Sequence, residues 1–370
     1  MSTVAILGGG QLARMLALAG HPLGIRCRVL DPAQDCPAQG VAEVITADWL
    51  DAGALDRLAE GAVVATLERE HLPMRAVHGL AARVPMRPPP AALEQLQNRA
   101  DQRRFLAQLG LAQPAVALPT NAEEYQRGIA DLGLPVIVKT TLGGFDARGQ
   151  RRVTTPAQAE LAWTELSAGG VVIERLVPFD EELAVLAVRS GSGQIAFWPL
   201  ISTHQVDGML ALAMPHPQGY RWQAAAEDIA RRIAEALEYV GVICVELFRV
   251  GDQLLVNEVA PRVHNSGHWT IEGAACSQFE NHLRAILGLP LGSTALRGTS
   301  AIINLIGTLP SPSAVLAIPG VHWHDYGKPP RPRRKIGHLT ITAADALQLD
   351  ERLGCLRDLG ITIPDGATSP

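Results

Sequence analysis

The sequence predicts a protein of mixed α/β and α+β class in three domains, over residues 1–90, 91–292 and 293–370. A strand, a glycine turn, a helix and a second strand open the chain in the order of a parallel sheet, so the first domain is expected to be Rossmann-like. The proline-rich run "MRPPPAALEQL" supplies the first boundary, because proline fixes φ and removes a backbone donor. The segment "LGLPLGS" supplies the second, before a small β-rich C-terminal domain.

The N-terminal elements follow from their apolar spacing. "TVAIL" predicts a buried strand, and "QLARMLALAGHPLG" places Leu12, Met15 and Leu16 at helical spacing. "RCRVLDP", "EVITA" and "VVATLE" predict further strands. Ligand sites in such a sheet lie at the carboxyl ends of the strands.

The middle domain is predicted to alternate strands with helices. "NRADQRRFLAQLG" is a helix ending in glycine, and "LPVIVK" is a strand that delivers Lys139 to the glycine-containing loop "TLGGFDARGQ". "GGVVIERLV" is a strand that carries Glu174 near its end, and "AAAEDIARRIAEALEYVG" is a helix. From residue 300 the tail mixes short strands with proline-rich loops.

Composition excludes several classes of function. The 370 residues are 47% hydrophobic and 19% charged, and the net charge of -5 gives no basic face for nucleic acid. The five cysteines are scattered without a CxxC pair, which predicts neither disulfides nor a zinc site and fits a reducing cytoplasm. No apolar run approaches the about 20 residues that cross a bilayer, and no export signal is expected.

The stretch "GGGQLA" at 8–13 has the form G-x-G-x-x-A, and Asp31 ends the next strand. This is the pattern of a dinucleotide site, in which glycines let backbone N–H groups approach a phosphate at a helix N-terminus. Any anionic group would fit the same geometry. A tight turn without a ligand is the alternative.

Two carboxylates are expected to face each other in "VELFRVGDQLLVNEVAP". If "VGDQL" is the turn of a hairpin, Glu246 and Glu258 are equidistant from Asp252 and oppose one another, provided that no bulge intervenes. Like charges in that position destabilise a hairpin unless a cation lies between them. With Asn257 alongside and no cysteine or histidine expected nearby, these oxygen ligands favour Mg²⁺. The alternative is that one glutamate faces solvent.

Two further segments could bind anions. Lys139 before its glycine loop suits a phosphate clamp, although the Walker A pattern is absent. Directly after the hairpin, "APRVHNSGH" concentrates Arg262, His264, Asn265 and Ser266, whose donors suit a small anion such as a carboxylate or bicarbonate. "RRKIGH" at 333–338, which includes Lys335, is either a counterpart to this segment or a solvated run of charge.

These residues together resemble the ATP-grasp superfamily and, within it, the 5-(carboxyamino)imidazole ribonucleotide synthases of purine biosynthesis. The resemblance rests on "GGGQLARML", "PVIVKT", "GGFDARGQ", "YGK" with "RRKIGHLT" and, most specifically, "VNEVAPRVHNSGHWTIEGAACSQFENHLRAILGLPLG". It implies an ATP-grasp domain between a pre-ATP-grasp domain and a small C-terminal domain. It also implies a homodimer that uses ATP, Mg²⁺, bicarbonate and aminoimidazole ribonucleotide.

The resemblance also implies roles for individual residues. The metal ligands are Glu246 and Glu258. The ATP contacts are Arg99, Lys139, Gly144, Phe145, Asp146, Gly149, Gln150, Glu174, Glu182 and Asn257. The catalytic residues are Asp146, Arg262, His264, Asn265, Ser266 and Lys335. The ribonucleotide contacts are Gly10, Gln11, Leu12, Tyr326, Lys328 and Arg334.

Some positions depart from the usual family pattern. Thr141 and Leu142 stand in place of two arginines, and Phe145 in place of a tyrosine, which removes charge from the loop expected to close over ATP. Thr203 and Gln205 stand where an asparagine and a histidine are usual. Three interpretations therefore remain: an active carboxylating ligase, an impaired ATP-grasp module that only binds nucleotide, and a dehydrogenase that relies on "GGGQLA" and Asp31.

Overall fold

A computed structural model describes residues 2–144, 149–217 and 219–364, and three β-sheets organise that part of the chain. The first is a parallel sheet in the order β3-β2-β1-β4. Its strands are β1 (Thr3–Leu7), β2 (Arg26–Asp31), β3 (Glu43–Thr46) and β4 (Ala62–Leu67), and the helices beside it are α1 (Gln11–Gly20), α2 (Ala52–Ala59) and α3 (Met74–Ala81). The predicted Rossmann-like order is confirmed, with Leu12, Met15 and Leu16 buried on α1.

The proline-rich boundary contains a helix, α4 (Pro90–Gln97), which the sequence interpretation missed. Proline at the first helical position costs nothing, since its missing N–H has no partner there. Leu93 packs into the core of the first sheet, whereas Ala92 and Leu96 pack into the core of the middle domain. Because α4 belongs to both cores, a domain boundary at residue 90 stays a prediction.

The second sheet is antiparallel, in the order β5-β8-β6-β7. Its strands are β5 (Val116–Ala117), β6 (Val136–Thr140), β7 (Gln150–Val153) and β8 (Val171–Arg175), and the nearby helices are α5 (Arg99–Gln108), α6 (Ala122–Leu132) and α7 (Pro156–Leu166). The Asn98 side chain caps α5 by accepting from two backbone N–H groups. Strand β6 brings Lys139 to the glycine loop, as predicted.

The third sheet has nine strands, in the order β14-β13-β9-β11-β12-β15-β17-β16 with β10 on β9. They are β9 (Glu181–Arg189), β10 (Ile195–Phe197), β11 (Ile201–Val206), β12 (Met209–Pro215), β13 (Gly241–Val250), β14 (Gln253–Ala260), β15 (Thr299–Ile306), β16 (Val321–Asp325) and β17 (Lys335–Ala343). The remaining helices are α8 (Gln223–Ala236), α9 (Thr270–Gly273), α10 (Gln278–Ile286), α11 (Pro312–Leu316) and α12 (Ala346–Asp358).

The β-rich C-terminal strands continue this sheet instead of forming one of their own. Strand β12 pairs with β15, with Leu212 opposite Ile303, and the apolar core beneath β15–β17 includes Leu212 and Met214. This continuity brings the tail of the chain beside the segment that follows the carboxylate hairpin. Within the described ranges, no helix has the length and apolar character needed to cross a membrane.

Candidate active site

Glu246 and Glu258 lie directly opposite one another on β13 and β14, so the predicted facing pair is confirmed. The reason differs from the symmetry about Asp252. Val250 pairs with Gln253 across a two-residue turn, and a register shift then leaves Asn257 as the extra residue of a β-bulge. With the short turn alone, Glu246 would lie opposite Asn257; the bulge shifts the register by one residue and brings Glu258 opposite Glu246.

A basic side chain lies beside each of the two carboxylates. Glu246 Oε1 lies 3.3 Å from His264 Nε2, and Glu258 Oε2 lies 3.9 Å from Arg99 Nη2. Burial by itself would lower the pKa of His264, but the neighbouring Cys244 and Glu246 raise it to about 10. The expectation of no histidine or cysteine near the pair was therefore wrong, because the chain after β14 folds back over β13.

The oxygen atoms at the hairpin fit a hard divalent cation. Asn257 donates its Nδ2 to Glu246 Oε2 at 3.3 Å, and its Oδ1 is buried with no partner. Two carboxylates and an orphaned amide oxygen are the donors that Mg²⁺ prefers. Among the described residues no cluster of three or more His, Cys, Asp or Glu side chains could hold a metal ion.

Lys139 is held by the buried carboxylate of Glu174. Lys139 Nζ lies 2.7 Å from Glu174 Oε2, and Arg103 donates two hydrogen bonds to Oε1 at 2.9 and 2.6 Å. Burial opposes ionisation, but Lys139 and Arg103 hold the pKa of Glu174 to about 2. The carboxylate expected to contact ATP thus orients two cations, and a direct ATP contact stays a prediction.

The open edge of β14 is satisfied by side chains from α5. Arg103 donates to the carbonyl oxygens of Val256 and Asn257 at 3.0 and 2.7 Å. Because an unpaired strand edge exposes backbone polar groups, these bonds fix β14 against α5. Neither Arg103 nor this covering role was singled out in the sequence.

The glycine loop is anchored at both described ends. Arg99 donates to the carbonyls of Thr140 and Gly144 at 3.0 and 2.6 Å. Gly149, with φ of +65°, accepts from Thr140 N at 2.8 Å, and Gln150 pairs with Lys139. The predicted residues Phe145 and Asp146 lie outside the described residues.

Strands β9 and β11 place the remaining residues considered for the nucleotide site on two opposite faces of the third sheet. Glu182 lies on the face of β9 that carries Glu246 on β13, and burial followed by Glu246 raises its pKa to about 7. Ser202 and His204 alternate with Thr203 along β11, and Ser202 bonds to Glu181 on the opposite face. His204, which lies between Thr203 and Gln205, therefore points away from the face that bears Glu182.

The side chains of the segment after the hairpin have partners that the sequence did not reveal, and their role in binding an anion stays a prediction. Arg262 makes a two-bond ion pair with the buried carboxylate of Glu70, which comes from the first domain. Arg262 holds the pKa of Glu70 far below its usual range despite burial. Glu70 was missed from the sequence, because the segment "TLEREH" at 66–71 offers no spacing signal.

His264, Asn265 and Ser266 form a hydrogen-bonded group. His264 Nδ1 lies 2.9 Å from Ser266 Oγ, and Asn265 exchanges two hydrogen bonds with Asn304 on β15, at 3.0 and 2.6 Å. Lys335 begins β17 and is among the groups that lower the pKa of Glu246, after the larger influence of His264. We call residues 246–266 the hairpin end of the site.

The predicted ribonucleotide residues meet at a second place, formed by residues 8–12 and 326–335. We call it the glycine-loop end after Gly8, Gly9 and Gly10; it is separate from the glycine loop that follows Lys139. Lys328 Nζ hydrogen-bonds to Gln11 Oε1, although 317 positions separate them. Burial lowers the pKa of Lys328 to about 8. Arg334 contributes to this lowering of the pKa, and Glu68 opposes it. Tyr326 is 1% exposed, and its hydroxyl bonds to His338 Nδ1 at 2.7 Å. Tyr326 and the buried Leu12 therefore support this end from beneath.

The glycine turn does not have the geometry of a dinucleotide site. Asp31 is 6% exposed and accepts from Gly9 N at 2.7 Å and Ala33 N at 2.8 Å, so its carboxylate closes the turn. A Cβ at Gly10 would lie 2.6 Å from both carboxylate oxygens of Glu68. These contacts assign the glycines to close packing against carboxylates, and the dehydrogenase interpretation loses its support.

The fold and the opposed carboxylates define an ATP-grasp protein. The family model described as ATP-grasp domain matches residues 104–279, and the ribonucleotide synthetase preATP-grasp domain matches 1–97. The phosphoribosylaminoimidazole carboxylase C-terminal domain matches 300–352. All three predicted parts of the fold are confirmed.

Relatives narrow the class to one family. An N5-carboxyaminoimidazole ribonucleotide synthase of Pseudomonas aeruginosa is 42% identical over 95% of this chain and 97% of its own length. The crystal structure of the Thermus thermophilus synthetase superposes with a TM-score of 0.93 at 47% identity, covering 98% and 99% of the two chains. The Aspergillus clavatus synthase in complex with ADP and 5-aminoimidazole ribonucleotide gives 0.88 at 31% identity, with 97% and 98% covered. This chain belongs to the N5-carboxyaminoimidazole ribonucleotide synthase family.

Proposed function

We propose that the chain catalyses ATP-dependent carboxylation of 5-aminoimidazole ribonucleotide by bicarbonate, giving the N5-carboxy product, ADP and phosphate. The observation that carries this proposal is that the facing carboxylates and the basic residues follow one another directly in the chain at the hairpin end. Facing carboxylates on Glu246 and Glu258 lead within a few residues to Arg262 and His264. A site for nucleotide phosphates thus adjoins a basic site for a small anion.

The residues divide the first half of the reaction between them. Glu246, Glu258 and Asn257 would hold Mg²⁺, which when bound offsets charge on the phosphates of ATP. Lys139, oriented by Glu174, neutralises a phosphate, while Arg262 and His264 orient bicarbonate so that its oxygen attacks the γ-phosphorus in line. The P–O bond to ADP breaks, and carboxyphosphate forms.

In the second half, the substrate amine attacks the carbon of carboxyphosphate, or of the CO₂ released from it. The C–N bond forms, phosphate leaves and the nitrogen loses a proton; the resemblance gives Asp146 the assisting role and places Lys335 near the transferred carboxyl. Lys328, Gln11 and Arg334 at the glycine-loop end would bind the ribonucleotide. Because carboxyphosphate reacts with water, the reaction requires that solvent be excluded from this part of the site.

We further propose that the protein works as a homodimer in the cytoplasm. The resemblance supports the dimer, and five free thiols, four of them buried, support a reducing compartment. Light scattering on purified protein measures the first directly: a mass twice the 39.5 kDa of one chain is expected, and a single-chain mass would contradict it.

A second candidate, a nucleotide-binding module without turnover, is favoured by one observation. Thr141 and Leu142 carry no charge, and the Thr141 side chain is 8% exposed with its hydroxyl bonded to Gly169 O at 2.6 Å. The start of the loop thus offers ATP no cation of its own.

Phosphate release distinguishes these functions. Purified protein with Mg²⁺ and ATP is assayed with and without bicarbonate and aminoimidazole ribonucleotide, beside Glu258→Gln. Release that needs both substrates and falls about 1000-fold in the variant is expected, since the variant loses a ligand for the phosphate-bound cation. Tight nucleotide binding without release would establish the module instead.

A further inference from the structure

Two buried glutamines make the same contact with the backbone of the hairpin end. Gln102 on α5 is 4% exposed; its Oε1 accepts from Val259 N at 2.9 Å, and its Nε2 donates to Val259 O at 3.1 Å. Gln278, which begins α10, is 0% exposed; its Oε1 accepts from His264 N at 2.8 Å, and its Nε2 donates to His264 O at 2.6 Å. Each side chain acts like one residue of a neighbouring strand.

The contacts fix each glutamine in one orientation. One backbone group is a donor and the other an acceptor, so only one placement of the amide satisfies both. The spare N–H of Gln102 donates to Leu96 O at 2.9 Å, and that of Gln278 lies 3.2 Å from His268 Nδ1. Removing either amide would leave buried backbone groups unpaired, so these contacts restrain the backbone strongly.

The two residues held by the glutamine clamps, Val259 and His264, lie at the two ends of the segment that follows Glu258. Val259 directly follows Glu258, and His264 is itself an expected anion contact. Gly267 is needed beside the second clamp, because a Cβ there would lie 2.9 Å from Gln278 Oε1. The segment between the clamps contains Arg262, which Glu70 holds.

We infer that Gln102 and Gln278 are positioning residues with separate tasks: Gln102 sets the Glu258 carboxylate for the metal, and Gln278 sets the His264 imidazole for bicarbonate. This inference rests on the proposed function. It requires that losing one clamp impairs one ligand and spares the other. A merely structural role would weaken both together.

The test compares Gln102→Met and Gln278→Met, which keep side-chain length and lose every hydrogen bond. Gln223→Met is the matched control, because Gln223 also accepts from Leu200 N at 2.7 Å and donates to Trp198 O at 3.2 Å, on α8 away from the site. Two constants are measured: the KM for bicarbonate, and the affinity of the protein–ADP complex for Mn²⁺ by electron paramagnetic resonance. Thermal unfolding of each variant is recorded as well.

Gln278→Met is expected to raise the KM for bicarbonate on the order of tenfold and to leave Mn²⁺ affinity within about twofold. Gln102→Met is expected to do the reverse, and Gln223→Met to change neither constant. Both constants moving together in one variant, or neither moving, would overturn the inference. If a methionine variant does not fold, the asparagine variant replaces it, since asparagine keeps one acceptor and one donor on a shorter side chain and should change the same constant less.

Failure of the proposed function has a different signature. Wild-type protein that releases no phosphate with bicarbonate and the ribonucleotide would refute the proposed reaction. The Mn²⁺ titration needs no turnover, so unchanged Mn²⁺ affinity in Gln102→Met would still overturn the positioning role of Gln102 in that case.

Discussion

The hairpin end and the glycine-loop end of the site are built from different kinds of contact. At the hairpin end, Arg262 and His264 lie a few residues beyond Glu258, and buried partners such as Glu70 hold them. At the glycine-loop end, Gln11 and Lys328 come from opposite ends of the chain and meet through one partly buried hydrogen bond. The comparison indicates that the hairpin end, proposed to bind phosphate and bicarbonate, is held by more buried contacts than the end proposed to bind the ribonucleotide.

Removing the charge of Glu70 should break the hairpin end most severely. Glu70→Gln leaves Arg262 buried without its counterion, so we expect the free energy of unfolding to fall by about 3 kcal/mol. We expect kcat/KM for bicarbonate to fall roughly 100-fold, since Arg262 loses its fixed orientation. Urea unfolding and steady-state kinetics measure the two effects.

Glu94→Gln is the matched control, because Glu94 pairs with His78 at 2.7 Å on the surface with 49% of its side chain exposed. An exposed pair contributes little, so its loss should change stability by less than about 1 kcal/mol. Equal losses in the two variants would mean that burial does not distinguish the hairpin end.

The glycine-loop end should instead respond to pH. Burial lowers the pKa of Lys328 to about 8, so the side chain is charged below that pH and neutral above it. Its attraction for an anionic ribonucleotide therefore fades as pH rises. We expect kcat/KM for the ribonucleotide to fall about tenfold from about pH 7 to about pH 9, since this constant reports groups of the free enzyme.

Lys328→Arg separates this effect from other titrations. Arginine keeps its charge throughout this range, so the decline attributed to Lys328 should disappear even if the overall rate is lower. The same decline in the arginine variant would assign the pH dependence to another group. The response to pH would then not distinguish the glycine-loop end from the hairpin end.

The comparison also shows which parts of the site a sequence can reveal. Facing carboxylates follow from hairpin spacing, and Arg262 to Ser266 follow from their adjacency in one motif. The opposition of Glu246 and Glu258 was predicted for an incomplete reason, because a short turn and a bulge at Asn257 compensate one another. Bulge positions depend on tertiary packing, which local spacing does not encode.

Partners from distant elements could not be predicted in this way. Glu70, Arg103, Gln102 and Gln278 act through contacts across about 14 to 192 positions of sequence, and the sequence alone assigned a role to none of them. Asp31 shows the converse error: its position at the end of a strand suggested a dinucleotide site, whereas its carboxylate accepts hydrogen bonds from Gly9 N and Ala33 N. The local sequence pattern gives the chemical type of a side chain. Only its packing in the fold decides whether that side chain is free to bind a ligand.

The smallest expected effect lies at Leu142, which follows shortly after Lys139 in the glycine loop. Leu142 is 49% exposed, so Leu142→Arg adds a cation there without disturbing a core, unlike a change at buried Thr141. A solvent-exposed charge gains little, and we expect the KM for ATP to fall by at most about threefold. Leu161→Arg on α7, where the side chain is 62% exposed, controls for net charge. A fall in KM only for the Leu142 variant, weaker at high salt, would show that this loop approaches the phosphates, whereas equal effects would place it outside their reach.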